Sequence, residues 1–390
     1  ARRTRLPTAG ANYHRRTPCP ERHDVNIDRI ETRLYRIPLP TPVQAASHGV
    51  MSEFDMLAVR IGTVSGASGV GYTVLNAGHG VAAAAVVENV FSARLLGEDS
   101  RRIEHLWQRL WRGHHYSGRG GLVSFALAAV DTALWDLKAK AAGVPLWKLL
   151  GGQVRERVRA YNTDIGWLSI ADDALVAGAQ RAVAQGFTGI KIKVGSTVER
   201  DLRRLEAVRR AIGPDVTLAI DGNGKWDLPT CLRFCRGAEP FDVYWFEEPL
   251  WYDDVKGHAE LARASSVPVA LGEQLYTQEA FAEFVAQGAV HWVQPDVTRL
   301  AGITETIRVA DLAHANRLPI APHAGDMSQV HVHLAYWHPA CPLLEYIPWI
   351  KDCFVEPANV VDGFFLLPQV PGAGTTPTAG AIRDCARPLS

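Results

Sequence analysis

The chain has few cysteines, no excess of either charge and no long uncharged apolar segment. Its 390 residues carry 41 basic and 41 acidic side chains, so no overall field attracts nucleic acid or an anionic membrane. No stretch reaches the ~18 uncharged apolar residues of a membrane span. The six cysteines lack the regular spacing of a disulfide framework, which favours a cytoplasmic protein with reduced thiols. Because the net charge of the chain is zero, an anionic substrate must be bound by local charges.

What is abundant is apolar sequence, at 47% of the residues, enough to form the cores of two domains. Residues 1–24 are rich in arginine and proline and have no apolar core of the length of a signal peptide. We expect them to form a poorly ordered basic tail. The rest of the chain divides by its pattern into a first part, residues 25–152, and a second part that begins at residue 153.

The first part combines strands and helices. Residues 28–38 and 54–61 alternate apolar and polar positions, as strands do, and the glycines of 66–71 predict a turn into a third strand. No helix and no Lys-Ser or Lys-Thr follows these glycines, which argues against a phosphate loop. Helical periodicity dominates residues 82–150, and Ser124 is the predicted N-cap of one helix. Strands followed by helices predict a separate α+β domain.

A regular interval organises the second part. Apolar runs end at Asp221, Glu247 and Glu273, and 26 residues separate each from the next. This interval fits one strand, one helix and two loops, which is the unit of a β/α barrel. If the strands are parallel and carry these residues at their C-terminal ends, the three carboxylates converge. A hard divalent cation is the simplest way to keep all three ionised.

The run before these carries two lysines, Lys191 and Lys193. Residues two apart on a strand point to the same side, here the interior of the barrel. Each ammonium group disfavours the charge of the other, and a nearby divalent cation adds to this effect. We therefore expect a lowered pKa for Lys193, which could then take a proton from carbon.

Two later runs end at Asp296 and His323, 27 residues apart, and predict neighbouring strands. A carboxylate bonded to one ring nitrogen of histidine fixes the tautomer and raises the basicity of the other nitrogen. A further run ends at Glu345, and residues 158–163 supply a first strand. Together these runs give the eight strands of a closed barrel, which we place at residues 153–357.

These polar residues, in this order on successive apolar runs, resemble those of the mandelate racemase subgroup of the enolase superfamily. The resemblance covers residues 25–385 and is greatest to acid-sugar dehydratases, such as those that act on galactarate and talarate. It implies an α/β fold, a modified TIM (β/α) barrel with an N-terminal α+β capping domain over its mouth. It also implies that residues 358–390 return to the cap, and that the protein is a homo-oligomer, a dimer or an octamer.

The resemblance also assigns roles. Asp221, Glu247 and Glu273 would hold Mg²⁺, which stabilises the charge that develops on a substrate carboxylate when the α-proton leaves. Lys193 and His323 would act on the substrate from opposite sides of the α-carbon, with Lys191 beside the carboxylate and Asp296 bonded to the histidine. Glu345 would act as an electrophile toward the far carboxylate oxygen if it is protonated.

Two loops of the cap, residues 38–51 and 73–80, are expected to set specificity. Both are rich in small and polar residues, which a hydroxyl-bearing substrate needs as hydrogen-bond partners. His48 is the predicted substrate contact among them. Asn223, two residues beyond Asp221, is a second predicted contact, with the substrate carboxylate.

Three functions are compatible with this pattern. The preferred one is Mg²⁺-dependent dehydration of an aldonate or aldarate to a 2-keto-3-deoxy acid. The second is a racemase, epimerase or cycloisomerase, which differs in the fate of the enediolate. The third, a binding protein without turnover, is disfavoured because no ligand or base is missing. Neither nucleic acid nor a membrane is expected as a partner.

Two other clusters could suggest metal sites. Cys231 and Cys235 lie four apart on a predicted helix, where small residues pack well, and we interpret them as packing residues. His331, His333 and His338 are interpreted as polar positions on the helix that follows His323.

Overall fold

The computed structural model describes residues 24–47 and 49–389. Its strands are β1 (Ile27–Ala45), β2 (Gly49–Thr63), β3 (Ser68–Asn76), β4 (Val158–Asn162), β5 (Gly189–Lys193), β6 (Thr217–Asp221), β7 (Val243–Glu247), β8 (Val269–Leu271), β9 (Trp292–Val293), β10 (Leu343–Tyr346), β11 (Val360–Val361), β12 (Phe364–Phe365) and β13 (Ala386–Arg387).

Its helices are α1 (Gly80–Val86), α2 (Ser92–Leu95), α3 (Ile103–His114), α4 (Leu122–Ala141), α5 (Leu146–Leu149), α6 (Asp172–Ala184), α7 (Val198–Ile212), α8 (Leu228–Ala238), α9 (Val255–Ala264), α10 (Gln278–Ala286), α11 (Ile303–Ala315), α12 (His331–Trp337) and α13 (Ala379–Asp384). This architecture confirms the expected fold class, a β/α barrel with a strand-rich N-terminal domain.

The N-terminal domain is built on an antiparallel sheet in the order β13-β1-β2-β3. Helix α4 lies directly on β3, because Gly69 and Gly71 have no side chain to hold it away. A Cβ atom on Gly71 would lie 2.1 Å from the carbonyl oxygen of Ala129 in α4. The turn predicted at residues 66–71 is shorter in the structure. It ends at residue 67, and Gly69 and Gly71 belong to β3.

The predicted loop at residues 38–51 is wrong, because β1 and β2 continue through most of it as a hairpin. Val43 pairs with Met51 and Ala45 with Gly49, beyond an irregularity in the register after Pro38. Backbone pairing of this kind satisfies peptide groups that a loop would leave to water. The second predicted loop, 73–80, is likewise shortened, since β3 runs to Asn76.

The tip of this hairpin contacts the barrel. The hydroxyl of Ser47 donates a hydrogen bond to the carbonyl oxygen of Asn223 over 2.5 Å, and the carbonyl of Gln44 accepts one from the amide of Leu168 over 3.0 Å. The cap therefore reaches the segment that follows Asp221. The predicted contact residue His48 lies outside the described residues.

Ser124 does not cap its helix. Helix α4 begins earlier, at Leu122, after Gly121 with a φ of 56°. The hydroxyl of Ser124 instead donates to the carbonyl oxygen of Arg299, a residue of the barrel. The predicted cap was wrong because tertiary contact, not the local backbone, takes up the serine hydroxyl.

The barrel strands are parallel in the order β4-β5-β6-β7-β8-β9, and β10 pairs with β4 from the other side. The predicted strand at residues 318–323 is reduced to one bridge, between Ile320 and Val293. Pro319 and Pro322 explain this, since proline has no N–H to give to a sheet. The polar ends nevertheless stay in register: Lys193 is opposite Asp221, and Asp221 is opposite Glu247.

A layer of apolar side chains fills the barrel beneath these polar ends. Each member comes two or three residues before a polar residue, so it points inward one level lower. The layer consists of Tyr161, Ala219, Trp245, Ala270, Ala321 and Leu343, with at most 3% of each exposed. It separates the polar mouth of the barrel from the other end.

The barrel helices begin at short polar side chains. Thr197, Asp227, Asp254 and Thr277 each accept a hydrogen bond from a backbone N–H three residues on, and so cap α7, α8, α9 and α10. The C-terminal part of the chain reaches the N-terminal sheet, where Leu34 and Tyr35 of β1 pair with β13. Among the described residues, no helix combines the length and apolarity that crossing a bilayer requires.

The two side clusters form parts of the core. Cys231 and Cys235 are buried in α8, and burial raises the pKa of both thiols. His331 is buried between Asp326, 2.7 Å from its Nδ1, and the amide of Val297, which donates to its Nε2. His333 accepts a hydrogen bond from the backbone amide of Trp147, and His338 follows the end of α12. All three histidines are buried, whereas polar positions of a helix are usually exposed.

Helix α4 of the cap and helix α11 of the barrel meet at a buried carboxyl group, Asp131. Burial raises its pKa to about 7, although the backbone amide of Thr304 and its hydroxyl both donate to it over 2.8 and 2.6 Å. An unfolded aspartic acid ionises near pH 3.8, so between about pH 4 and 7 only the unfolded chain loses this proton. Asp131 therefore costs stability as pH rises through that window.

We expect Asp131→Asn to remove this cost. Relative to the unchanged protein, the free energy of unfolding of the variant should rise by roughly 2–4 kcal/mol between pH 4 and pH 7, since one pK unit is about 1.4 kcal/mol. Urea unfolding at a series of pH values measures this. Asp173→Asn, at an exposed position in α6, is the control and should leave the pH dependence unchanged. Identical pH profiles for both variants would contradict the buried-acid interpretation.

Candidate active site

Three carboxylates lie together at the mouth of the barrel. Asp221 and Glu247 end β6 and β7, and Glu273 follows β8 by two residues. One oxygen of each lies within 4.8 Å of those of the other two, and all three side chains are buried. Within residues 24–47 and 49–389 this is the only such group of three or more acidic, histidine or cysteine side chains.

Lys191 is enclosed by these carboxylates. Its Nζ lies 2.6 Å from Glu247 Oε1, 2.7 Å from Glu345 Oε1 and 3.8 Å from Asp221 Oδ2. Burial lowers the pKa of Lys191, but Glu247 and Glu345 outweigh it, and the pKa lies well above the usual range. Glu247 in turn has a pKa raised to about 7, chiefly by burial, with Lys191 acting against it. Lys191 is thus a fixed positive charge.

Lys193 forms an ion pair with Asp221. Burial lowers the pKa of Lys193, yet the attraction of Asp221 is stronger than the repulsion of Lys191, and the pKa is raised. The expectation of a lowered pKa is therefore not met by the charges of the protein alone. A cation on the carboxylates would offset the attraction of Asp221 and lower the pKa of Lys193. An uncharged Lys193 that can accept a proton therefore depends on that ion.

Asp296 and His323 form the expected dyad. Asp296 Oδ2 lies 2.8 Å from His323 Nδ1, while the amide and hydroxyl of Thr298 donate to the other oxygen of Asp296. His323 Nε2 lies 2.8 Å from Glu273 Oε2. Burial opposes the charge of His323, but Glu273 and Asp296 raise its pKa to about 10. The pKa of Asp296 falls to about 2, because the hydrogen bond from His323 outweighs burial.

Glu345 lies on the far side of Lys191. Its Oε1 accepts a hydrogen bond from the hydroxyl of Thr163 over 2.6 Å, and its Oε2 accepts one from the amide of Ala324 over 2.8 Å. Burial favours protonation, but Lys191 outweighs it and lowers the pKa of Glu345 to about 2. The predicted role of Glu345 as an electrophile requires a protonated carboxyl group, and with Lys191 2.7 Å away Glu345 is a carboxylate.

One of the smaller predicted residues, Asn223, lies beside Asp221. The backbone of Asn223 lies in the left-handed region with φ 44°, and its backbone N–H donates a hydrogen bond to Asp221 Oδ1 over 2.8 Å. Its side-chain oxygen is buried without a hydrogen-bond donor among the described residues.

Sequence reasoning missed the residues that orient the carboxylates. Gln294 and Trp245 both donate to Glu247 Oε2, over 2.6 and 3.3 Å. Arg299 lies 3.0 Å from Glu273 and 3.3 Å from Asp296, and so connects the carboxylate cluster to the dyad of Asp296 and His323. A signal was available for Gln294, which points inward on the same run as Asp296. Arg299 follows that run, and its sequence position alone does not reveal its partners.

A cavity of about 320 Å³ opens above this cluster. Its floor includes Lys193, Glu273 and His323, and its upper wall includes Met51 and Asn76 of the cap. Lys193 and His323 come from the second and seventh strand positions of the barrel, so they reach the cavity from different sides. A small carboxylic acid in this cavity would have an amine and an imidazole as its neighbours.

The donor atoms fit a hard divalent cation. Three buried carboxylates offer only oxygen ligands, the type that Mg²⁺ prefers. Each of them is paired with a lysine or a histidine of the site: Glu247 with Lys191, Asp221 with Lys193 and Glu273 with His323. A bound cation would take over this charge balance and leave Lys193 and His323 able to act on a substrate.

Comparison with known proteins shows which family the two parts of the chain match. Residues 29–151 match the mandelate racemase / muconate lactonizing enzyme N-terminal domain, and residues 174–381 match the enolase C-terminal domain-like family. A 3,6-anhydro-alpha-L-galactonate cycloisomerase of Streptomyces coelicolor is 39% identical over 89% of this chain and 96% of its own. An L-talarate/galactarate dehydratase of Salmonella typhimurium is 35% identical over 92% of this chain and 90% of its own.

Solved structures agree with this. The talarate/galactarate dehydratase of Salmonella typhimurium with Mg and L-lyxarohydroxamate superposes with a TM-score of 0.89 at 33% identity, covering 98% of this chain and 97% of that one. The L-talarate dehydratase of Polaromonas sp. with Mg and L-glucarate has a TM-score of 0.87 at 36% identity, covering 93% and 98%.

The carboxylate cluster predicts that Mg²⁺ stabilises the folded protein. We expect the melting temperature to rise with Mg²⁺ concentration, because an ion that binds only the native state adds RT ln(1 + [Mg²⁺]/Kd) to its stability. Asp221→Asn should abolish this rise, whatever the melting temperature of the variant itself. Asp215→Asn, at an exposed position before the opposite end of β6, is the matched control. An equal Mg²⁺ effect in both variants would rule out Asp221 as a ligand.

Proposed function

The chain belongs to the mandelate racemase / muconate lactonizing enzyme family of the enolase superfamily, and on this premise we propose that it removes the α-proton of an acid sugar with the help of Mg²⁺. The observation that carries the proposal is the cavity whose floor combines an amine, an imidazole and a cluster of carboxylates. We assign Asp221, Glu247 and Glu273 as the ligands of the ion. When bound there, Mg²⁺ supplies a Lewis acid at the substrate carboxylate.

Lys193 is the proposed base. Proton abstraction from carbon needs an uncharged amine near the α-carbon, and Lys193 is the lysine that lines the cavity. Lys191 keeps its charge between Glu247 and Glu345 and would attract the substrate carboxylate as charge develops on it. The side-chain oxygen of Asn223, which is buried and unpartnered among the described residues, is assigned as the acceptor of a hydrogen bond from a substrate hydroxyl, and its side-chain N–H as a donor to the substrate carboxylate.

His323 is the proposed acid, and Asp296 its orienting partner. The hydrogen bond from Nδ1 to Asp296 leaves Nε2 for the side of Glu273, which lines the cavity with His323. Once the ion takes over Glu273, a proton on Nε2 could pass to a leaving oxygen. With a 3-hydroxyl as leaving group, the products are water and an enol that tautomerises to a 2-keto-3-deoxy acid. We propose this dehydration of an aldonate or aldarate as the primary reaction. Similarity to several acid-sugar dehydratases supports it.

An isomerase is the second candidate. The relative at 39% identity is named a cycloisomerase, and another cycloisomerase, of D-galactarolactone, is 32% identical over 93% of the chain. Racemase, epimerase and cycloisomerase reactions require the same proton abstraction and differ in what the enediolate does next. A non-catalytic binding protein is the least favoured interpretation, because the lysines, the dyad and the carboxylates are all present.

We further propose that the enzyme works in the cytoplasm as a homo-oligomer, a dimer or an octamer. The cysteines of the described residues are free, four of them buried, as expected of a protein kept in a reducing compartment. Its balanced charge favours neither nucleic acid nor a membrane as a partner.

The roles of Lys193 and His323 can be separated. We expect Lys193→Ala to lose both keto-acid formation and exchange of the α-hydrogen with D₂O. His323→Asn should lose keto-acid formation by a factor of about 10² or more, since it removes the acid. Semicarbazide detection of the keto acid and NMR detection of exchange measure the two steps, with circular dichroism as a check on folding. Full activity of His323→Asn on a turned-over substrate would contradict its assignment.

Removal of the metal gives a further check on the same assignment. EDTA should abolish keto-acid formation, and Mg²⁺ should restore it, because the carboxylates alone leave Lys193 protonated. Full turnover by the EDTA-treated protein would reject the proposed role of the carboxylate cluster.

A further inference from the structure

Above its charged floor, the active-site cavity is largely apolar. Its large apolar lining side chains include Met51, Phe54, Trp167, Met327, Ile347 and Trp349. Besides Lys193, Glu273, Arg299 and His323, its polar lining consists of Asn76, His79, Asn223, Gln274 and Tyr276. An open-chain polyol exposes hydroxyls along its whole length, and each hydroxyl buried without a partner costs free energy. An apolar wall of this kind therefore suits a substrate with fewer free hydroxyls.

Three of these side chains form an aromatic surface. The rings of Trp167 and Trp349 are 5.0 Å apart between centroids, and those of Trp349 and Phe54 are 5.7 Å apart and nearly parallel. The indole N–H of Trp349 donates to Asp164 over 2.7 Å, which fixes the orientation of its ring. A fixed aromatic face binds a flat group that presents C–H bonds, such as one side of a sugar ring.

The aromatic surface begins close to the reacting carbon. Nζ of Lys193, the proposed base, lies 5.0 Å from the centroid of the Trp167 ring. The carbons next to the abstracted proton must then face this ring. The position of Trp167 therefore puts a ring of the substrate at the third carbon and beyond, not at a remote end.

The cavity also offers little for a second carboxylate. Four cationic or potentially cationic side chains line it among the described residues: Lys193, His323, Arg299 and His79. The first two belong to the floor, and Arg299 is already paired with Glu273 and Asp296. His79 is exposed at the rim and contacts the carbonyl oxygen of Asn76 through Nδ1. No lysine or arginine of the described cap lines the cavity.

From these observations we propose that the substrate is a monocarboxylic acid sugar whose C3 oxygen is part of a ring, and that Trp167 and Trp349 bind this ring. The proposal rests on the α-proton abstraction proposed above. Of the two candidate reactions it favours the isomerase, because a ring oxygen that leaves C3 stays bonded to the substrate. It assigns Trp349 as a specificity-determining residue, because it contacts neither the carboxylate cluster nor the dyad.

The reaction balances without loss of water. Lys193 takes the proton from C2, the C2–C3 double bond forms, and the bond between C3 and the ring oxygen breaks. The ring oxygen receives a proton from His323 and becomes a hydroxyl on the carbon that still holds it. The resulting enol tautomerises to a 2-keto-3-deoxy acid with the same mass as the substrate. An open-chain substrate would instead give a product lighter by one water.

Three acids of one sugar series test the proposal: 3,6-anhydrogalactonate, galactonate and galactarate. With Mg²⁺ present, we expect kcat/KM for the anhydro acid to exceed those for the two open-chain acids by at least about tenfold, because these must bury hydroxyls or a second charge against the apolar wall. Mass spectrometry of the keto acid should show no change in mass. A higher kcat/KM for galactarate or galactonate would overturn the ring assignment while leaving the proposed function intact.

The aromatic surface is tested by Trp349→Ala, with Trp349→Phe as the conservative variant. We expect Trp349→Ala to raise KM for the anhydro acid about tenfold with a smaller change in kcat, and Trp349→Phe to restore most of the loss, since it keeps an aromatic face. Trp251→Ala is the control, because Trp251 is exposed and does not line the cavity. An equal loss for cyclic and open-chain acids, or no rescue by phenylalanine, would overturn the role of Trp349.

Absence of both keto-acid formation and α-hydrogen exchange with every acid tested would overturn the proposed function itself, and the ring assignment with it. Turnover without any preference for the anhydro acid would overturn only the ring assignment. The two failures are therefore distinguishable in one set of assays.

Discussion

The balance of buried charge at the barrel mouth is the constraint on which the rest of the site depends. Asp221, Glu247, Glu273, Asp296 and Glu345 are all buried, and a carboxylate removed from water costs free energy unless it is paired. Lys191, Lys193, His323 and Arg299 offset this at distances that mostly fall between 2.6 and 3.3 Å. Removing one member would leave a charge without a partner in a region of low polarity, which is far more costly than losing an exposed ion pair.

Neighbouring side chains hold the charged groups of this network in position. Below it, Trp245 and the other residues of the apolar layer close the barrel, and the Trp245 N–H also holds Glu247. Beside it, Gln294 and Thr163 each direct one carboxylate. Above it, the cap is attached through Ser47 to the segment after Asp221 and through Ser124 to Arg299. Such neighbours fix the orientation of groups that touch the substrate.

One arrangement can support more than one reaction, because proton abstraction and departure of the leaving group depend on different parts of the site. In the proposed reaction Lys193 and the carboxylate cluster form the enediolate, whereas the leaving group depends on the substrate that the cavity wall admits. In this chain the wall is built by Phe54 of the cap and by Trp167 and Trp349 beyond barrel strands. On this proposal the barrel floor carries out proton abstraction and the wall selects the substrate and with it the leaving group, in agreement with the range of activities among relatives of similar identity.

The sequence by itself determined the family, the barrel and the identity of the charged residues, because each polar residue follows an apolar run and the interval between runs is nearly constant. It also indicated which side chains share a strand face, since that depends only on the two-residue period. The tertiary structure decided the rest. Whether Glu345 is charged depends on the distance to Lys191, and whether Ser124 caps a helix depends on Arg299, 175 residues away. Prolines reduced one expected strand to a single bridge, and the hairpin at 38–51 formed because its partners pair across the sheet. Arg299, Gln294 and the tryptophan pair act through contacts between distant parts of the chain, which no local pattern records.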